Sequence, residues 1–181
     1  MSIVSRIVAA SVMALYMHAV SAYGIQTHAS LSEAAFDQSG LSKDTQLLQN
    51  LDLKSSDRFL NSQDPDPRTI KELIRDGARF EDNGIQPRFH FYDPIYNTGL
   101  IWNVQFVGSP DWALEDRFSS PSQGFSFSDA RQYLYNALTL PTKEMRERNF
   151  GSAFEALGHV IVVRLVFQVS LQVTAVRLRA G

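Results

Sequence analysis

Cysteine is absent from all 181 residues, which excludes disulfide staples, thiolate zinc fingers and cysteine nucleophiles. Histidine is scarce. His18, His28, His90 and His159 are the full set, so any metal must be held by these, by Asp and Glu, or by backbone groups. Positive charge is not in excess: 17 basic against 19 acidic residues give a formal charge of −2. That balance excludes a broadly basic surface for duplex nucleic acid. No apolar run reaches the ~20 residues of a bilayer span. A glycine-rich phosphate loop, a nucleophile elbow and an HExxH element are all missing, as are internal repeats and low-complexity tracts.

What is present is ordinary for one globular domain, with 44% hydrophobic and 20% charged residues. Residues 1–22 have the layout of a secretory signal. Arg6 supplies the positive start, Ile7 to Val20 the apolar run, and Val20 and Ala22 the small residues before a cut. The run is shorter than a transmembrane segment, though a signal anchor or a buried N-terminal helix is the alternative. Cleavage there places Tyr23 at the mature N-terminus and the protein in a secreted or periplasmic setting.

The mature chain reads as α-rich. Leu31, Ala34 and Ala35 recur at helical spacing up to a stop at Gly40, and Leu47, Leu48 and Leu51 suggest a second, short helix. Asp66-Pro67 is a helix start, with Asp66 as cap and Pro67 at the first helical position. Ile70, Leu73, Ile74 and Ala78 carry that helix to about Phe80. Residues 83–126 read as a long ordered loop region, with too many aromatics for a disordered linker. Ala130, Leu134, Ala137 and Leu138 then share a helical face that Pro141 ends. Thr142 caps a last long helix with Met145, Phe150, Phe154, Leu157 and Ile161 facing inward.

Beyond Ile161 the composition changes. Residues 162–181 hold six valines, against seven in the preceding 161 positions, and no acid. Val163, Leu165, Phe167, Val169, Leu171 and Val173 alternate with mainly polar residues, which is strand periodicity. A lone strand fused to a helix has no partner in an α-rich chain, so residues 162–181 read as an out-of-family tail of frameshift type. A native strand paired with the loop region is the alternative.

Two places offer chemistry. A free amine at Tyr23 with the imidazole of His28 could chelate one ion, because an α-amine has a pKa of only ~8. His28 as a hydrogen-bonded surface group is the other reading. Asp82 and His90 lie on adjacent segments and suit an oxygen/nitrogen zinc site, with bonds of about 2.0–2.2 Å. Equally, His90 could pack among Phe89, Phe91 and Tyr92, leaving Asp82 solvated.

Several strings together resemble a known family. They are Tyr23-Gly24-Ile25-Gln26-Thr27-His28, Gly77-Ala78-Arg79-Phe80-Glu81-Asp82, His90-Phe91-Tyr92-Asp93-Pro94, Gly99-Leu100, Ser109-Pro110-Asp111-Trp112-Ala113-Leu114 and Phe154-Glu155-Ala156-Leu157-Gly158. Over residues 23–161 the chain looks like the bacterial zinc-dependent phospholipase C enzymes and the related single-strand-specific zinc nucleases. The resemblance implies an all-α domain with a cluster of three zinc ions. It implies that the Tyr23 amine and carbonyl plus His28 bind one zinc. Asp82 and His90 would serve a second, with Asp82 also the catalytic base or water-orienting group. Asp76 is the substitute for Asp82, and Asp93 stabilises its own loop. Zinc-activated water would attack a phosphodiester, a phospholipid by preference and single-stranded nucleic acid as the alternative.

The departure is as informative. The family continues with H-x₃-D-x₅-H, which falls in register on Val162, Val166 and Gln172. His159 is three residues early, about 300° out of phase at 100° per residue, and reads as a helix-face histidine paired with Glu155 one turn before. The expectation is an inactive N-terminal portion of such a hydrolase. A non-enzymatic exported binding protein is the competing class.

Overall fold

The computed structural model describes residues 24–60, 66–81, 83, 86–93, 95–96, 98–99, 108–114 and 124–180, with side chains of the last helix up to Val163. The signal reading of residues 1–22, Tyr23 and Asp82 lie outside the described residues. The architecture is helical: α1 (Ile25–Gln38), α2 (Gly40–Lys43), α3 (Thr45–Gln49), β1 (Arg58–Phe59), β2 (Arg68–Thr69), α4 (Ile70–Phe80), a 3₁₀ turn (Gln86–Phe89), α5 (Ser109–Leu114), α6 (Phe127–Thr139) and α7 (Lys143–Ala180). The strands form one antiparallel ribbon with Arg58 opposite Thr69 and Phe59 opposite Arg68. Among the described residues, no helix is long and apolar enough to cross a membrane.

The long helix α7 lies against both α4 and α6, α1 covers the other flank of α4, and α5 touches α6 and α7. The core between them holds Phe36, Leu48, Phe59, Leu73, Ile74 and Phe154, with Phe59 packed on Phe150 at 5.8 Å between ring centroids. Lys71 Nζ reaches Asp37 Oδ2 at 2.8 Å and ties α4 to α1 at the rim.

Capping decides where the helices start. α4 begins one turn later than Asp66-Pro67 suggests, because Thr69 and Glu72 form a reciprocal capping box. Glu72 Oε2 accepts from Thr69 N at 2.8 Å, and Thr69 Oγ1 accepts from Glu72 N at 3.3 Å. Two backbone donors satisfied at once outcompete a single Asp cap. Ser126 and Asp129 start α6 in the same way. At α7, Met145 N donates to Thr142 Oγ1, as the sequence suggests. Met145 itself is exposed, and so are Leu134 and Leu138 on α6, so those inward faces are narrower than expected.

Two expectations fail. The region 83–126 contains a short helix, α5, at the Ser109–Leu114 string. More important, α7 runs unbroken to Ala180, so the alternating stretch 163–173 is helix and not strand. Extending an existing helix fixes one residue per hydrogen bond, whereas a new strand needs a partner. Val162, Val166, Val169 and Val173 are also spaced by four, three and four, so the stretch carries a helical repeat beside the alternating one.

Candidate functional site

The site begins at a close crossing of α4 and α7. A Cβ on Gly77 would lie 2.1 Å from the Glu155 carbonyl oxygen, and a Cβ on Gly158 would lie 2.2 Å from that of Ile74. Only glycine on both helices lets the two backbones touch at this point. Glu81, one turn past Gly77, therefore meets His159, the neighbour of Gly158.

Glu81 is 1% exposed and collects N–H donors from three other segments. His90 Nε2 lies 3.3 Å from Oε1, and Trp112 Nε1 donates to the same oxygen at 3.2 Å. His159 Nδ1 is hydrogen-bonded to Oε2. Aromatic rings hold the donors in place: Phe89 stacks on Trp112 at 3.8 Å, and Phe125 lies flat on His159 at 4.2 Å. His28, buried on α1, meets His90 edge to face at 6.4 Å between ring centroids.

The segment carrying His90 is fixed on both sides. Ser109 N donates to Phe91 O at 3.2 Å, binding the segment to the start of α5. Asp93 pairs with Thr98, and its Oδ1 accepts from Ile95 N at 2.8 Å and Tyr96 N at 3.3 Å. Asp93 thus stabilises its own loop.

Burial alone would raise the Glu81 carboxyl. The hydrogen bonds from His159 and His90, and their charge, outweigh it and hold Glu81 below the usual carboxylate range. An ionised carboxylate only accepts, so each facing imidazole nitrogen carries its proton toward Glu81.

Of the residues singled out in the sequence, His28 and His90 come together, and His28 is in the interior, not on the surface. Tyr23 and Asp82 lie outside the described residues. Asp76 is not a substitute ligand: Arg75 Nη2 holds it at 2.9 Å, with Arg68 and Arg79 also within 4.0 Å. His159 lies on a helix face, as expected, but its partner is Glu81 in place of Glu155. It is 2% exposed and bonded to Glu81, 78 positions away in sequence. Glu81 and Trp112 appear in the sequence only as parts of longer strings. The signal that marks Glu81 and its partner His159 is the glycine on each helix, one turn before Glu81 and one residue before His159.

Of the donors the resemblance implies for zinc, only His28 and His90 are among the described residues, and two imidazoles do not by themselves make a zinc site. Among the described residues no group of three or more His, Asp or Glu converges to hold a metal ion. His90 and His159 each commit one ring nitrogen to Glu81, and their second nitrogens do not converge with a third His, Asp or Glu among the described residues. His159 Nε2 is buried without a hydrogen-bond partner among the described residues, and its ring lies against the face of Phe125. What the cluster does is lock four segments around one anionic group. The chain matches no protein-family model, no curated protein and no solved structure.

Proposed function

We propose that this chain is a phospholipase C-like domain of the exported zinc phosphodiester hydrolases that has lost turnover. The supporting observation is convergence. His28, Glu81, His90, Trp112 and the residue after Gly158 come from five separate strings that carry the resemblance or adjoin it, and they meet in one buried cluster. A chance scatter of similar strings has no reason to fold together.

The loss of turnover rests on α7. Positions 162, 166 and 172 lie on a continuous helix, which is the element H-x₃-D-x₅-H requires, yet Val162, Val166 and Gln172 stand there. Val162 is wholly buried and carries no donor atom. Bound zinc would supply an acidified water in a relative that holds it. No catalytic step is assigned to the side chains of this chain.

The test is hydrolysis by the purified full chain with added zinc. The substrates are phosphatidylcholine vesicles, read as phosphocholine release, and single-stranded DNA, read as fragmentation. The expected result is no zinc-dependent product from either. Zinc-dependent phosphocholine release would overturn the loss of turnover, and cleavage of DNA alone would move the chain to the nuclease branch.

A further inference from the structure

We infer that Glu81 is an internal counter-ligand: its carboxylate fills the space between the imidazoles and cross-links four segments, so this polar core closes without a metal ion. Imidazoles gathered from distant segments need something to hold them together, and in metalloproteins that is a cation. Here the cluster has an anion at its centre. Oε1 takes His90 and Trp112, and Oε2 takes His159. These contacts tie the end of α4 to the His90 segment, to α5 and to α7, and they are out of reach of water.

Several features show that the carboxylate is built in. The Gly77–Gly158 crossing brings the α4 and α7 backbones into contact one turn from Glu81, which is buried. Phe89 and Phe125 cover Trp112 and His159, so both donors are held flat and cannot swing away without losing a stacked ring. Trp112 adds a third N–H, from an indole nitrogen that is a donor only and cannot itself bind a metal. A buried carboxylate that receives three N–H groups is satisfied, and one deprived of them is not. His28 sits behind His90, edge to face with its ring.

The inference goes beyond the proposed function, and its readouts are metal content and stability, so it stands or falls apart from hydrolysis. The full chain is titrated with zinc against a chromophoric chelator and melted with EDTA or zinc present. The expected result is far less than one zinc per chain at micromolar concentration, and melting temperatures that agree within about 1 °C. Glu81→Ala removes the anion and leaves His90 and His159 facing a vacated space, with His28 beside His90. That variant is expected to melt lower in EDTA and to recover on binding one zinc, with His90→Ala in the same chain abolishing the recovery.

Uptake of a full zinc equivalent by the unaltered chain, with a lower melting temperature in EDTA, would overturn the inference. So would a folded Glu81→Ala chain that melts like the original. Should Glu81→Ala not fold under either condition, Glu81→Gln decides. It keeps the shape but turns one acceptor into an N–H group, and it is expected to lower the melting temperature and shift Trp112 emission. Melting and emission unchanged in Glu81→Gln would rule the cross-link out.

Discussion

Along α7, the turn that carries Gly158 and His159 and the turns beyond Val163 are built by different rules. At the first, small and polar residues specify one arrangement. Gly158 admits the α4 backbone, Ala156 is wholly buried, and His159 has one carboxylate to meet. Beyond Val163 the chain offers four valines and three leucines, with three arginines and no acid. Apolar residues of that kind satisfy a strand or a helix, and the helix prevails because it is already under way at Lys143. The lesson is that hydrophobic period proposes a structure, while close approach and buried polar partners select it.

The sharpest way to break this contrast is to add atoms at the crossing. Gly158→Val would drive side-chain carbons into the Ile74 carbonyl, which lies inside α4 and cannot move alone. The expected loss is at or above ~3 kcal/mol, the upper part of the range for overpacking, read by urea denaturation. Gly151 is equally close to a backbone oxygen, with a Cβ site 2.0 Å from Leu60 O. Leu60, however, only follows a two-residue strand, so its segment can give way. Gly151→Ala should therefore cost less than Gly158→Ala, both being partly offset by the ~1 kcal/mol by which alanine outdoes glycine in a helix. The reverse order would mean that the helix crossing is not what sets the site.

Much of this was legible from the sequence. The inward Phe150 and Phe154, the Thr142 cap and the turn held by Asp93 follow from spacing and residue chemistry, whereas spacing put His28 and His90 in two separate sites. The Asp66 start was misleading because cap preference is nearly equal for Asp and Thr, and the deciding partner, Glu72, lies inside the helix. The role of His159 was hidden for a different reason. Helical phase against one's own chain places a residue on a face, but it does not say what crosses that face. Glycines at 77 and 158 are the local mark of a crossing, and they become informative only when read as a pair.

A smaller effect tests the caps, where α4 meets solvent. Thr69→Ala should cost about 1 kcal/mol at neutral pH, the usual value for losing a capping hydroxyl. Glu72 is held below the usual carboxylate range, chiefly by the Thr69 backbone N–H, against the opposing pull of burial, and further by the Thr69 hydroxyl, Arg58 and Arg75. A lowered value in the folded state means the stabilisation is complete above the ordinary carboxylate range. It is lost as pH falls through the folded value. Glu72→Gln should flatten that acid limb of the stability curve, while Glu81 leaves part of the slope in place. An acid limb unchanged in Glu72→Gln would show that the box contributes nothing through charge.

The smallest effect belongs to the first turns of α7, on the solvent side of the same helix. Lys143 Nζ and Glu147 Oε1 are 3.5 Å apart at i and i+4, with side chains 74% and 46% exposed. Their order is the less favourable one, lysine preceding glutamate, so it runs against the helix dipole as well. Water and salt screen such a pair, and two long side chains must be ordered to make it. Glu147→Gln should change stability by less than about 0.5 kcal/mol. The change should shrink further in high salt, checked by paired melts at low and high ionic strength. Since Lys143 through Asn149 stay outside the Gly158 crossing, a large loss there would mean that α7 is held by its charged end and not by the glycine contact.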